Sequence, residues 1–184
     1  MAKISNKRER LLRAANHLIR RQGFRQTTLA DIAKESGIPP GNVYYYFKTK
    51  RHIGQTIVAD RVATFAQHLD SLDGLDDPKA RLLAFLDYPL SKRTDLSRHG
   101  CPLGALAYEL SHIPDMRSES ARLVEVVLTW TDKQFLAMGC TDPGELAFQF
   151  VTNLQGMRLI ATPQGSPQVI DRMVARSREW IESL

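Results

Sequence analysis

Cysteine is scarce in this chain, and long apolar runs are absent. Only Cys101 and Cys140 are present, too few for the disulfide framework of a small secreted domain, so we expect both thiols to be reduced. No apolar stretch approaches the length of a bilayer-spanning helix, and the N-terminus lacks the apolar core of a secretory signal. We therefore expect a cytoplasmic protein that does not insert into a membrane.

The residue patterns of the common enzyme classes are missing as well. We find no nucleophile paired with a base at a useful spacing, no glycine-rich loop for phosphates and no pair of carboxylates on one helix face. His99, Cys101 and His112 lack the paired-ligand spacing of a zinc site. The sequence therefore predicts a protein that is not an enzyme and that uses neither a cofactor nor a metal.

Positive charge is concentrated at one end of the chain. Residues 1–54 carry 12 Lys and Arg against 3 Asp and Glu, a net charge of +9, whereas residues 55–184 carry 13 against 17, a net charge of −4. This asymmetry is typical of a polyanion-binding module joined to a domain with another task. A membrane surface would also attract the cations, but the N-terminal helix lacks the large apolar face of surface-bound helices.

Apolar residues recur with helical spacing along almost the whole sequence, and the alternation typical of strands is absent. The prediction is an all-α protein, with a three-helix head over residues 1–50 and a helical-bundle body over residues 51–184. Glycine and proline mark the helix boundaries. After the head, we expect helices over about 49–72, 101–113, 115–138, 142–161 and 167–184, and one that carries Leu82, Leu83, Phe85 and Leu86 and runs to a break or kink at Pro89. A polar stretch without a predicted helix follows Pro89, and a loop containing Pro163, Gly165 and Pro167 separates the last two helices.

Residues 27–50 predict two short helices joined by a tight turn. Thr28 followed three residues later by Asp31 is the capping-box pattern that starts a helix. Gly37 is placed to end that helix in the left-handed conformation, and Pro40 fits the first turn of the next one. This spacing predicts a helix-turn-helix, the motif that places its second helix in the major groove of DNA.

The second of these helices, over residues 39–48, has two unlike faces. Val43 and Phe47 share an apolar side that suits the interior of the head. The opposite side is small or polar, and tyrosines flank it, as a recognition helix requires. Asn42 carries the donor and acceptor pair that matches adenine, and Lys50 is placed to hold a phosphate at the start of the following helix.

Each of these features also has an ordinary interpretation. Consecutive tyrosines occur as core aromatics of helical bundles, and helix-turn-helix shapes occur in proteins that never meet DNA. An exposed Asn is commonly only solvated. The combination of capped helix, glycine turn, proline start, divided face and terminal lysines favours DNA binding.

Over residues 5–56 the chain resembles the TetR family of bacterial transcriptional regulators. The residues that match the head pattern of that family are Thr27, Thr28, Ile32, Ala33, Gly37, Tyr44, Phe47 and Lys50. The resemblance implies a DNA-binding head, a ligand-sensing helical body and a homodimer. It thus implies a ligand-responsive repressor whose partners are a palindromic double-stranded DNA operator and a small-molecule effector.

The resemblance also implies, position by position, which residues bind DNA. These are Thr27, Thr28, Pro40, Gly41, Asn42, Tyr44, Tyr45, Tyr46, Lys48 and Lys50. The chain departs from the family where Arg51 and His52 follow the last of them, since an acidic residue is usual there. This departure predicts weaker capping of the fourth helix and additional positive charge near the DNA backbone.

In the body the resemblance is looser. We expect the effector among apolar side chains that would equally form an ordinary core: Phe65, Phe85, Leu86, Leu106, Val127, Trp130 and Phe135. Dimerisation is expected through the last two helices, where Gly156 allows a close approach. The other expected contacts, which would alternatively pack within one subunit, are Met173, Val174, Trp180 and Ile181.

The segment 100–104 resembles a Gly-Cys motif in a branch of the family that includes thiol-based sensors. Cys101 lies at a predicted helix start and near Arg98, and both features favour a thiolate. Two hypotheses stay open for this residue. It is either an inert core cysteine or a redox switch whose modification by an oxidant or electrophile releases DNA.

Overall fold

The computed structural model describes the backbone of residues 2–184 and the side chains of residues 6–184. Every regular element in this part of the chain is helical, which confirms the all-α prediction. The helices are α1 (Ala2–Gln22), α2 (Leu29–Ser36), α3 (Pro40–Tyr46), α4 (Lys50–Leu72), α5 (Pro78–Phe85), α6 (Asp87–Ser91), α7 (Arg93–His99), α8 (Pro102–Ser111), α9 (Arg117–Ala137), α10 (Pro143–Gln164) and α11 (Pro167–Ser183), with a 3₁₀ turn at Pro114–Met116.

The predicted start and end of α2 are confirmed. The Thr28 hydroxyl accepts a hydrogen bond from the Asp31 N–H at 3.1 Å, and the Asp31 carboxylate accepts one from the Thr28 N–H at 2.9 Å. The Thr28 hydroxyl also donates to this carboxylate at 2.7 Å, and this bond, together with the weaker effect of the bond from the Thr28 N–H, lowers the pKa of Asp31. Gly37 ends the helix in the left-handed conformation, with a φ of 64°. Local sequence signals therefore suffice to set this helix.

Two segments differ from the predictions. The polar stretch after Pro89 was expected to lack a helix, but α6 and α7 occupy residues 87–99. The expected loop at Pro163 is instead the last turn of α10, which Gly165 closes by donating its N–H to Ala161 and Thr162. Proline is tolerated there because the turn it disturbs is about to end in any case.

Two compact units make up the chain. The first runs up to Val62 and includes Ala105–Leu123, and the second comprises Ala63–Gly104 and Val124–Leu184. Helices α4, α8 and α9 each contribute residues to both units. The functional division into a head over residues 1–50 and a body over residues 51–184 stays a prediction.

Each unit has its own apolar core. In the first unit Leu11, Ile32, Val43, Phe47 and Ile57 are fully buried, so the three head helices share one interior. The core of the second unit is aromatic. Phe150 lies 5.8 Å from Phe85 and 6.3 Å from Phe135, and Trp180 stacks on Phe150 at 6.3 Å between ring centroids. No helix in residues 2–184 is both long enough and apolar enough to span a bilayer.

Candidate nucleic-acid interface and effector cavity

The two faces of α3 are divided as the sequence predicts. Val43 is fully buried and Phe47, directly after the helix, is 1% exposed. Tyr45 is 76% exposed and Tyr44 57% exposed, and a Cβ added at Gly41 would meet no atom within 4 Å. Packing therefore fixes one side of this helix to the first unit and leaves the other side free for a partner.

The remaining predicted DNA contacts differ in their accessibility. Pro40, Thr28 and Lys48 are exposed, whereas Asn42 and Tyr46 are half-buried. The rings of Tyr45 and Tyr46 pack edge to face, with centroids 5.2 Å apart. This contact restricts the orientation of the more exposed ring.

Thr27 departs from the prediction that it contacts DNA. Its side chain is 3% exposed, and its hydroxyl donates to the carbonyl oxygen of Gly23 at 2.8 Å. It therefore shapes the turn between α1 and α2 and is not part of the exposed surface. Threonine identity alone did not distinguish this role from the capping role of Thr28.

Lys50 also has a role that the sequence did not suggest. Its ammonium donates to the carbonyl oxygen of Arg25 at 2.6 Å and lies 5.1 Å from the centre of the Phe24 ring. Burial lowers the pKa of this ammonium, against the opposing effect of the Glu109 charge. Glu109 in turn accepts from the Arg25 N–H at 3.0 Å. Lys50 thus holds the turn that leads into α2, in a position where the sequence predicted a phosphate contact.

The start of α4 is capped despite the departure from the family pattern. The Thr49 hydroxyl accepts from the His52 N–H at 3.0 Å, which supplies the cap that an acidic residue would otherwise reinforce. Arg51 pairs with Asp115 at 3.4 Å, and both side chains are largely exposed. The extra positive charge is therefore partly engaged within the first unit.

A small cavity lies in the second unit. It contains about 320 Å³ of space free of atoms, part of it open solvent, and only about 10 Å³ in which a water molecule can be centred. Three predicted effector contacts, Phe65, Phe85 and Val127, line it. The other lining residues are Tyr88, Cys101, Pro102, Leu103, Val151, Leu154, Gln155 and Arg158.

The other four predicted effector contacts lie elsewhere. Leu86, Trp130 and Phe135 belong to the buried core of the second unit, and Leu106 is buried in the first unit. The indole N–H of Trp130 donates to the Asp73 carboxylate at 3.0 Å. Apolar periodicity selected these residues because it identifies buried positions, and it does not separate a packed core from a cavity wall.

Cys101 sits where α8 begins, and its sulfur is surrounded by donors. The Arg158 guanidinium donates to Sγ from Nη1 at 2.9 Å, and the Gly104 N–H donates at 3.2 Å. The Gln155 amide lies 3.7 Å away. A Cβ at Gly104 would meet the amide end of the Gln155 side chain, which would then have to move away from the sulfur.

The balance of these contacts favours the thiolate. Burial raises the pKa of the Cys101 thiol, but the Arg158 charge and the hydrogen bonds from Gly104, Leu103 and Gln155 outweigh it, and the pKa is lowered overall. The sequence argument named Arg98 as the nearby cation. Arg98 is exposed, and the cation that contacts the sulfur comes from α10 instead.

A signal for Arg158 was present in the sequence. The face of α10 that packs inward is otherwise apolar, and Arg158 is its one charged member: Ala147, Phe150, Val151, Leu154, Met157, Arg158 and Ala161. A lone arginine on an apolar stripe indicates a specific partner or ligand. Both cysteines are free, and within the described side chains no three His, Cys, Asp or Glu residues are arranged to hold a metal ion.

Comparison with known proteins gives a consistent family match. The model of the bacterial regulatory proteins of the tetR family matches residues 11–54. The HTH-type transcriptional regulator LmrA of Bacillus subtilis is 34% identical over 62% of this chain and 61% of its own length. The HTH-type transcriptional repressor NemR of Escherichia coli is 29% identical over 56% of this chain and 52% of its own length.

Solved structures resemble the chain over almost its full length. The regulatory protein TetR from Rhodobacter sphaeroides has a TM-score of 0.80 and 27% identity, over 92% of this chain and 95% of that protein. Among curated relatives the overlap is shorter. A regulator from Lactococcus lactis and the regulator AcuR of Cereibacter sphaeroides are matched over 59% and 55% of their lengths, so the chain spans little more than half of these relatives.

Proposed function

We propose that this chain is a transcriptional repressor of the TetR family that a small effector releases from a palindromic DNA operator. The family model over residues 11–54 and the similarity to known regulators support this proposal. One observation carries the proposal. On α3, Val43 and the following Phe47 are buried, while Gly41 and Tyr45 face outward beside Asn42. A helix anchored on one side and open on the other is suited to insertion in the major groove. A repressor of this kind acts in the cytoplasm, where bacterial DNA is found.

Specificity and affinity come from different residues in this proposal. Asn42 and Tyr45 face base edges, whereas Lys48 neutralises a phosphate. We therefore expect Asn42→Ala or Tyr45→Ala to change the preference between operator sequences. Lys48→Ala should weaken binding to all sequences and flatten the salt dependence by about one counterion.

Binding of each variant to the operator, to single-base operator variants and to unrelated DNA, over a range of salt concentrations, separates these roles. Lys50→Ala is the informative comparison, because Lys50 also holds the turn before α2. The Lys50→Ala variant should bind DNA more weakly and should also have a lower melting temperature than the parent. The Lys48→Ala variant should bind DNA more weakly at an unchanged melting temperature. Equal losses on every sequence for Asn42→Ala and Tyr45→Ala would contradict a base-reading role.

We propose that the protein is a homodimer and that α10 provides most of the contact surface. Phe148 is 60%, Leu159 75% and Ile160 53% exposed on this helix, and a Cβ at Gly156 would meet nothing within 4 Å. An exposed apolar face of this kind supports a contact with a second copy.

Val174 and Ile181 from α11 are fully buried within the subunit, and Trp180 stacks on Phe150. We therefore assign these residues to the fold of one subunit and, of the predicted α11 contacts, keep only the half-buried Met173 for the dimer.

A second candidate function is a thiol switch, and the contact between Arg158 and Cys101 favours it. A cation 2.9 Å from a buried sulfur stabilises the thiolate, which is the reactive form. The thiolate would add to an alkene that is conjugated to a carbonyl group. The sulfur–carbon bond forms, the alkene electron pair moves to the carbonyl oxygen, and the enolate then takes a proton from water. The bulky adduct would not fit the cavity, and the second unit would rearrange.

Release from DNA after treatment with N-ethylmaleimide tests this switch. The parent and Cys140→Ser should lose operator binding as Cys101 is alkylated, whereas Cys101→Ser should keep it. Mass spectrometry of the same samples identifies the modified thiol. If Cys101→Ser is released as readily as the parent, the thiol switch is wrong and only the ligand-responsive mechanism is left.

A further inference from the structure

Arg158 is the most unusual residue of the second unit. Its side chain lies on the apolar face of α10 and is 6% exposed. Burying a guanidinium is costly unless its charge and its donors are compensated. The groups that compensate the charge and the donors of Arg158 therefore indicate which kind of ligand the surrounding cavity binds.

The compensation that the protein itself provides is incomplete. Nη1 donates to Cys101, but Nε is buried and has no hydrogen-bond partner. None of the ion pairs among the described side chains involves this guanidinium. A carboxylate oxygen can accept a charge-assisted hydrogen bond from this unused N–H, and its negative charge compensates the guanidinium.

The walls of the cavity define the rest of the ligand. Phe65, Phe85 and Tyr88 provide aromatic surface, and Val127 and Leu154 provide aliphatic surface. The polar side chain of Gln155 also lines the cavity. Because a water molecule can be centred in only about 10 Å³ of this space, side chains must move to admit a ligand, and the ligand must be small.

We propose that this cavity binds a small monocarboxylate with an apolar body, whose carboxylate is held by the Arg158 guanidinium through the free Nε–H. This assignment rests on the proposed function, in which the cavity is the effector site. It adds the chemical class of the effector. It also adds a linkage, because the guanidinium that receives the carboxylate is the one that faces Cys101. A bound carboxylate neutralises the cation beside the sulfur and so makes the thiol less reactive.

Calorimetric titration of the full-length protein without DNA tests the assignment. The probes are benzoate and butyrate, and their neutral matches are benzamide and butyramide. At least one acid is expected to bind about tenfold or more tightly than its amide, because a charge-assisted pair with arginine is lost in the amide. Equal affinity of each acid and its amide would overturn the proposal.

Variants locate the binding group. Arg158→Met should lower the affinity for the acids about tenfold or more and leave that for the amides unchanged. The matched control is Arg176→Met, which removes the same charge from an exposed position of α11 and should change neither. Undiminished acid binding by Arg158→Met would also overturn the proposal.

A measurement on the unaltered protein guards against a variant that fails to fold. Benzoate or butyrate should slow alkylation of Cys101 by N-ethylmaleimide relative to Cys140, and the amides at the same concentration should not. If acids and amides protect Cys101 equally, the linkage through Arg158 is wrong. None of these measurements uses DNA, so the two proposals can fail separately. If the carboxylates bind to the protein but do not release it from the operator, the proposed function is wrong and the assignment of the cavity still holds.

Discussion

Replacing Gly41 by leucine is expected to weaken specific operator binding about 100-fold or more while the protein stays folded. In the free protein a Cβ at this position meets no atom within 4 Å, so a side chain disturbs no packing. Leucine also favours helix over glycine by up to about 1 kcal/mol. The loss of operator affinity arises where α3 enters the major groove of DNA. A side chain there would displace neighbouring base contacts that are each worth about 1–3 kcal/mol, and about 1.4 kcal/mol corresponds to a factor of ten.

The chain offers a closely matched control in Gly144. Gly41 and Gly144 each follow the proline that begins a helix, and both are exposed. A Cβ at Gly144 would lie 3.8 Å from the nearest atom, an ordinary contact. Gly144→Leu should therefore match the parent in operator affinity and should melt at the same temperature as the parent or somewhat higher. If Gly41→Leu binds the operator as well as Gly144→Leu does, α3 does not enter the groove through this face.

Replacing Leu159 by arginine is expected to convert the proposed homodimer into a monomer and to weaken operator binding by about 10²–10⁴-fold. Leu159 is 75% exposed on the same side of α10 as Phe148, so a charge there costs little in the isolated subunit. In the dimer, the same charge would be buried without a partner. In the proposed dimer, two linked heads bind the two half-sites as one molecule, and separate subunits would lose the high effective concentration that the linkage provides.

Analytical ultracentrifugation and operator binding at matched protein concentrations measure the two effects. Leu136→Arg is the control, because Leu136 is a comparably exposed leucine on α9, at 62%. That variant should keep the mass and the affinity of the parent. A dimeric Leu159→Arg protein would show that subunits associate through another surface.

Much of the head could be predicted because its signals are local. The Thr28 and Asp31 cap, the Gly37 terminus and the two faces of α3 each depend on residues within about four positions of one another. The hydrogen bonds of polar side chains were not predicted. The Thr27 hydroxyl bonds to a carbonyl oxygen four residues back, and the Lys50 ammonium bonds to one 25 residues back, whereas the sequence suggested only DNA contacts for both residues.

In the body, the sequence identified buried positions but did not show which of them line the cavity and which belong to the packed core. Apolar periodicity correctly selected Phe85 and Phe135 as interior residues, yet only Phe85 lines the cavity. The cation beside Cys101 was sought at Arg98, three residues away, and is provided by Arg158 from 57 residues away. Nothing in the spacing of either segment indicates that they meet.

By itself, the sequence determined that this protein is all-helical and that its basic end carries a helix-turn-helix, because helix periodicity, caps and charge depend on neighbouring residues. Only the tertiary structure decided which polar groups lie together: Lys50 against the α1–α2 turn, and Arg158 with its free Nε–H beside Cys101 in the cavity. The physical reason is that such contacts are fixed by how separate helices pack, and each helix by itself is compatible with many packings.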